Sequence, residues 1–333
     1  MSQMNWDREV EVLVVGTGNG GLTAAVCNWG MGTKDVLIIE KQDKVGGTSA
    51  TSGGGIWIPN SHYAKEVGAE DSPEAAKAYL MNTLFGEDVP EEMIDIYLEK
   101  APEMLKYLHD RTDVRYESLA EYPDYYTNME GAREGHRSLE PAPIMASELG
   151  ANWKNMTWTH FMMRMFNRIH FTQVEAHLLM VQLPGWKKLL ARLMWDYIRD
   201  IPWRLKTPIS RRLACGSAGV ARLYLSVLKR KIPLEFNTQM VELIADGDTV
   251  LGAVIECNGQ HQRVRAAKGV ILASGGFEKN QALREQYLPA PTNTTWSAGN
   301  PGNEGDALLA GLELGAKTRL MNDAWWTTTL CVP

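Results

Sequence analysis

Residues 10–21 read VEVLVVGTGNGG, and residues 35–40 read DVLIIE. The β-branched run from Val10 to Val15 stops at Gly16 and predicts a buried parallel strand. Gly21 to Trp29 predicts a helix and Asp35 to Glu40 a second strand, together a βαβ unit of ordinary length. Gly16-Thr17-Gly18-Asn19-Gly20-Gly21 has the spacing GxGxxG. Alone that spacing is weak. Directly after a strand and opening a helix it has a mechanism. Gly16 permits the tight turn, Gly18 lets the backbone approach a pyrophosphate, and Gly21 lets helix and strand pack closely. The helix start then offers free N–H groups and the positive end of its dipole to phosphate.

Glu40 lies 19 residues past Gly21, at the end of the second strand, where it can accept hydrogen bonds from both ribose hydroxyls. A carboxylate there disfavours a 2′-phosphate, which argues against NADP. A second glycine loop follows at once, Val45-Gly46-Gly47-Thr48-Ser49-Ala50-Thr51-Ser52-Gly53-Gly54-Gly55. Its short side chains and free N–H groups would let an isoalloxazine ring lie close to the backbone. That favours FAD over NAD. Candidate cofactor contacts are Gly16, Gly18, Gly20, Gly21, Glu40, Lys41, Gly46, Gly47, Thr48, Ser49, Ser52, Gly53 and Gly54.

Further along, residues 73–110 predict two amphipathic helices, and residues 115–150 read as irregular. Residues 153–213 are helical in character and dense in Met and Trp. Strand character returns over 233–256 around the turn Asp246-Gly247-Asp248 and again at Gly269–Ala273, and Gly305–Gly315 predicts a helix. The fold class is α/β: a Rossmann-type FAD-binding domain over 1–276 with a helical insertion about 60–232, then the beginning of an α+β substrate domain over 277–333.

The 333 residues are 44% hydrophobic and 22% charged, with net charge −6, the balance of a soluble globular protein and not of a nucleic-acid binder. Cys27, Cys215, Cys257 and Cys331 are scattered without metal spacing, and the N-terminus has acids and no apolar core of a signal peptide; a cytoplasmic location is expected. No metal is assigned, since His160, His170 and His177 have no ligand-like spacing.

Four ordered segments, VVGTGNGGLTAA, IIEKQDKVGGTSATSGGGIWIP, GVILASGGFEKN and NPGNEGDALLAGLELGA, resemble the FAD-dependent fumarate reductase and 3-ketosteroid dehydrogenase superfamily. The resemblance covers roughly 1–60, 110–140 and 232–330. It implies that Val241 or a neighbour contacts adenine through its backbone. It also implies that Ala273-Ser274-Gly275-Gly276 closes over the dinucleotide and that Asn303-Glu304-Gly305-Asp306 lies near the flavin. Some relatives attach the flavin to a histidine beside the second glycine loop; none stands between Thr48 and Ser52, so noncovalent FAD is expected.

Two features resemble the 3-ketosteroid Δ1-dehydrogenase branch. Tyr122-Pro123-Asp124-Tyr125-Tyr126, followed by Gly135-His136-Arg137-Ser138, is similar to that branch's PDYY…GRS stretch. Tyr125 then matches an active-site tyrosine that supports a second one, which removes a C2 proton while a C1 hydride goes to flavin N5. A phenol acting as base needs a hydrogen-bonded partner. Trp325 and Trp326 match an aromatic pair suited to a flat, lipophilic ketone, where fumarate reductase-like members carry a histidine. The alternatives are a fumarate reductase-like enoate reductase, or a flavin-binding fragment without chemistry. The family continues beyond this point with its proton-abstracting tyrosine, while this chain stops on the β-prone WWTTTLCVP; the expectation is a C-terminally shortened member, inactive or nearly so alone. The electron acceptor stays open.

From Trp186 to Lys231 the chain carries 12 Lys/Arg against Asp196 and Asp200. Trp186, Leu189, Leu190, Leu193, Tyr197 and Ile198 share one helix face. Two readings stay open, a peripheral contact with an anionic membrane over 186–231 and, the favoured one, a packed helical insertion with a solvated basic face.

Overall fold

The structure, a computed structural model, describes residues 5–326. Most of the apolar terminal stretch, from 327 on, lies outside the described residues, as do residues 1–4. The chain forms two compact units, one of residues up to 51, 154–157 and from 227 on, the other of 52–153 and 158–226.

In the first unit a six-stranded sheet is built around β1 (Arg8–Val15). β1 leads to α1 (Asn19–Gly30) and β2 (Val36–Ile39), and the short helix α2 (Gly47–Thr51) follows. Four further strands are β3 (Leu234–Glu235), β4 (Thr238–Asp246), β5 (Thr249–Cys257) and β6 (Gln260–Leu272). The sheet order is β3-β2-β1-β6-β5-β4, parallel from β3 to β6 and antiparallel through β5 and β4. All four residues of β2 are buried, as a parallel strand covered on both faces requires. Register aligns Val15 with Ile39 and with Leu272, so three strands end flush. The residues in the flanking turns are held by Gly16 N donating to Ile39 O (2.8 Å) and Ala273 N to Val15 O (2.9 Å). α1 buries Leu22, Ala25 and Val26. Helices α3 (Gln281–Tyr287) and α4 (Asp306–Glu313) lie within this unit, as does the rest of the described 277–326 segment.

The second unit holds helices Pro73–Asn82, Glu91–Arg111, Gln173–Met180 and Trp186–Arg199. Its three-stranded antiparallel sheet pairs Ser138–Pro141 with Ile56–Trp57 on one side and Tyr116–Ser118 on the other. The expected helical character of 153–213 is only partly met. Residues 164–170 form a small antiparallel ribbon, Arg164–Met165 against Ile169–His170, and the chain reverses through Phe166 and Asn167, both at positive φ. There the buried Ile169 packs on Leu189 and Leu193 of the basic helix, and this tertiary contact overrides local propensity. A further helix, Cys215–Arg230, which the sequence reading passed over, buries Ala218, Val220, Ala221 and Tyr224.

His170 is 1% exposed, with Nδ1 3.0 Å from Ser210 Oγ. Burial, with Arg164 and Arg212 adding repulsion, pushes its imidazole down to about 3, below the ordinary value of an unfolded chain. The native state therefore binds fewer protons than the unfolded one, and stability falls as pH drops below about 6.5. Urea unfolding at pH 7 and pH 5 should show the native chain losing on the order of 2 kcal/mol more than a His170→Asn variant. Equal losses in both would contradict a neutral, buried His170.

Candidate functional site

At the flush carboxyl ends of β1, β2 and β6 the first unit opens a cleft of about 410 Å³. Crevices outside the carboxyl ends of parallel strands are where such sheets bind ligands. Its floor is the Gly16–Gly20 turn, and Gly16 has φ +103. A β-carbon on Gly16 would stand 2.4 Å from the Ala273 carbonyl oxygen, and one on Gly21 would stand 2.1 Å from the Gly16 carbonyl oxygen. Gly18 is different: its φ is −67, and a β-carbon would meet only Ser49 Oγ, at 3.2 Å.

Glu40 is 9% exposed and lines the cleft. Its carboxylate accepts from Thr17 N (3.1 Å), from the Thr17 hydroxyl and from Gln42 N (3.0 Å). Thr17, 1% exposed, also accepts from Gly46 N (3.1 Å), so one hydroxyl ties the first glycine turn to Glu40 and to the start of the second glycine loop. Thr48 Oγ1 then accepts from Asn300 N (2.8 Å) and Asn303 Nδ2 (3.0 Å), joining that loop to residues 300–303. Lys41 reaches across to Asp306 (2.7 Å) and Glu304 (3.1 Å). Burial works against the Lys41 charge, but the two carboxylates outweigh it and hold the ammonium above its usual range.

Gly47, Thr48, Ser49, Ala273, Ser274, Gly275, Asn303 and Asp306 all line the cleft. Gly305 lies beside it, at φ +87 before α4. Val241 does not line it; Thr238, Gln239 and Met240, just before it on β4, do. Trp325 and Trp326 stand outside the lining, 84% and 59% exposed. Ser52, Gly53 and Gly54 belong to the second unit, where Gly54 (φ +73) packs on the Cys215–Gly216 backbone.

The residues present fit a dinucleotide. Glycines stand where a side chain would block the turn, and a buried carboxylate ends the second strand. Asn19 Oδ1, in the cleft at the start of α1, is buried with no hydrogen-bond donor among the described residues. None of the lining residues is His, Cys or Tyr.

Tyr125 belongs to the second unit and is 67% exposed, with its ring 6.5 Å from that of Tyr122. Burial and a hydrogen bond with Tyr125 push the Tyr122 phenol up to about 12, so Tyr122 keeps its proton. Between them Asp124 is 3% exposed, accepting from Trp57 Nε1 (2.7 Å), Arg133 N (2.9 Å) and Arg137 Nη1 (2.8 Å). Arg137 also makes a two-pronged pair with Asp71 (2.7 and 2.9 Å).

The FAD binding domain family matches residues 11–333. The chain belongs to the FAD binding domain family. FAD is its cofactor. Among curated relatives it is 35% identical to a 3-oxosteroid 1-dehydrogenase of Mycobacterium tuberculosis, over 97% of this chain and 57% of that protein. It is 31% identical to a 4-oxocyclohexanecarboxylate 2-dehydrogenase of Sinomonas cyclohexanicum, over 95% of this chain and 51% of the relative. The chain thus spans a little over half the length of these relatives. A crystal structure of 3-ketosteroid Δ1-dehydrogenase from Sterolibacterium denitrificans, in complex with 1,4-androstadiene-3,17-dione, superposes with a TM-score of 0.93 at 39% identity. It covers 98% of this chain and 58% of that one.

Sequence reasoning missed Thr17, Asn300 and Arg137 as site-building residues. Thr17 occupies a variable position of the glycine motif, and only the fold shows its hydroxyl turned to Glu40. The arginine was quoted within its motif but given no partner, since Asp71 is 66 residues away.

Gly16→Ala should fail to fold stably, because both φ and the Ala273 carbonyl oppose it. Gly18→Ala should fold, its melting temperature without FAD near that of the native chain, yet bind FAD at least about tenfold more weakly, because the methyl occupies the phosphate approach. Native-like FAD affinity in Gly18→Ala, measured by titration, would contradict a pyrophosphate at this turn.

Proposed function

We propose that this chain carries the cofactor site of an FAD-dependent dehydrogenase acting on CH–CH groups, desaturating a 3-ketosteroid or similar cyclic ketone beside its carbonyl. The observation that carries the reading is the Tyr122–Tyr125 pair on an exposed loop anchored by the buried, ion-paired Asp124, in a chain whose other unit has the dinucleotide cleft. A CH–CH bond next to a ketone loses two hydrogens as a proton from the α carbon and a hydride from the β carbon. When bound, FAD supplies the two-electron acceptor for that hydride.

The chain's own residues have separate tasks. Glu40 would bind ribose hydroxyls, the Gly18 and Gly20 amides at the start of α1 would hold the pyrophosphate, and the backbone of 238–240 would offer hydrogen bonds to adenine. Thr48 and the Asn300–Asn303 segment support the second glycine loop. Tyr122, protonated, orients the Tyr125 oxygen, and a phenol pair of this kind holds or passes a proton at that oxygen. Cys27, Cys215 and Cys257 all stand as free thiols, which supports a reducing, cytoplasmic location.

A second observation concerns the basic helix. Leu189 and Leu193 are buried, as a packed insertion requires, but Trp195, Ile198, Ile201 and Leu205 are exposed among Arg192, Arg199 and Lys206. That combination supports peripheral contact with an anionic lipid surface, a source of lipophilic ketone. No helix among the described residues is long and apolar enough to cross a membrane.

The test of function is anaerobic titration of the FAD-loaded chain. A 3-ketosteroid should shift the flavin band on binding, with little or no bleaching in this shortened chain, while fumarate leaves it unchanged. A response to fumarate alone, or to neither, would contradict the assignment. For the surface, sedimentation with phosphatidylglycerol vesicles but not with phosphatidylcholine vesicles is expected; sedimentation with neither rules the contact out.

A further inference from the structure

We infer that Arg137 is a positioning residue. Clamped between Asp71 and Asp124, it fixes the 122–126 segment so that Tyr122 and Tyr125 stay paired. Its meaning for catalysis rests on the function proposed above; its geometry does not.

Arg137 is 2% exposed and lies next to the central strand Ser138–Pro141, where its carbonyl accepts from Ile58 N (2.8 Å). Its guanidinium spends Nε and Nη2 on Asp71, which directly precedes the Ser72 cap of helix Pro73–Asn82. Both of these supports adjoin regular structure. The remaining arm, Nη1, goes to Asp124, which sits in a loop with no ladder of its own. Asp124 closes that loop on itself, its N–H donating to Arg133 O (2.9 Å) while its carboxylate takes the Arg133 N–H. The indole of Trp57 donates to the same carboxylate, and the Trp57 and Tyr79 rings lie 5.7 and 5.8 Å from the guanidinium carbon.

Both neighbours of Tyr125 are thereby tied to this cluster: Asp124 to Arg137, and Tyr126 through its N–H to the Tyr79 hydroxyl (3.2 Å). An exposed phenol is held between Asp124, itself buried, and Tyr126, which is exposed but bonded through its N–H to the buried Tyr79. Arginine suits this task because its planar fork serves two carboxylates at once, where a lysine's single ammonium serves them less directionally. A buried cation between two carboxylates leaves uncompensated charge when one partner goes, so the arrangement is poorly tolerant of partial loss. Glycines let the loop pack tightly around it: a β-carbon on Gly131 would stand 2.2 Å from Ala75 O, and one on Gly135 would stand 1.9 Å from Ala120 O.

The test is a near-ultraviolet phenolate titration of the full chain, with the Tyr122 signal taken by difference from a Tyr122→Phe counterpart. Arg137→Gln should bring that phenol down from about 12 toward the ordinary tyrosine value of about 10. Asp124→Asn should do the same, Asp71→Asn should do less, and Arg137→Lys should restore part of the native value. FAD retention should stay within about twofold of native in each. An unchanged Tyr122 midpoint in folded Arg137→Gln overturns the inference. Should that variant not fold, an unchanged midpoint in Asp124→Asn overturns it equally. Where a 3-ketosteroid bleaches the flavin, Arg137→Gln should slow bleaching at least about tenfold while the half-saturating steroid concentration moves less than about threefold; the reverse split overturns the inference. The titration needs neither flavin nor steroid, so a chain indifferent to ketosteroids refutes the proposed function without touching the phenol result.

Discussion

A single backbone position sets the terms for the first unit. Gly16 turns the chain at positive φ, with the Ala273 carbonyl oxygen where any side chain would begin. That close approach keeps β1, β2 and β6 ending at one level, because Gly16 bonds back to Ile39 and Ala273 bonds back to Val15. With the ends flush, α1 starts at the mouth of the crevice, where the Asn19 N–H is taken by Ser49 Oγ and the next residues of its first turn have no intrahelical acceptors. Glu40, at the end of β2, is carried to the same level by the same register. Cleft, helix terminus and carboxylate are consequences of one steric condition.

Charge is handled differently in the two units. In the first, Lys41 joins the end of β2 to Glu304 and Asp306, so the entry to α4 is tied to the cleft by an ion pair that is only partly shielded. In the second, Arg137 is almost fully buried between two carboxylates, and burial lowers the guanidinium's preference for charge less than Asp71 and Asp124 raise it. Partly exposed pairs of the first kind contribute modestly and yield to salt. Buried ones of the second kind are weak sources of net stability and strong sources of specificity for one loop conformation, the role the tyrosine pair asks of it.

The parts of this fold that were legible share a trait: short range. β1, α1, β2 and Glu40 follow from a motif whose members lie within thirty-one residues, Val10 to Glu40, and the Asp246-Gly247 hairpin follows from its turn chemistry. Asn258-Gly259 was an equally good turn signal; β6 runs from it through thirteen residues, of which only the last few were read as strand. Three features required tertiary knowledge. The Met- and Trp-rich 153–213 segment has helical composition, but its ribbon exists because Ile169 packs under the basic helix. Which β4 residues line the cleft depends on where that strand crosses it, and these are residues 238–240, the neighbours of Val241. The Arg137 clamp joins residues 66 positions apart, and no local pattern announces it.

Cleft, helix start and Glu40 have one purpose together, to hold a dinucleotide. The direct measurement is the visible absorbance of the purified chain after incubation with FAD and desalting. Retained flavin near one equivalent, lost again in a Glu40→Ala variant that remains folded, is the predicted result. A colourless native chain, or one whose flavin is indifferent to Glu40, would contradict it.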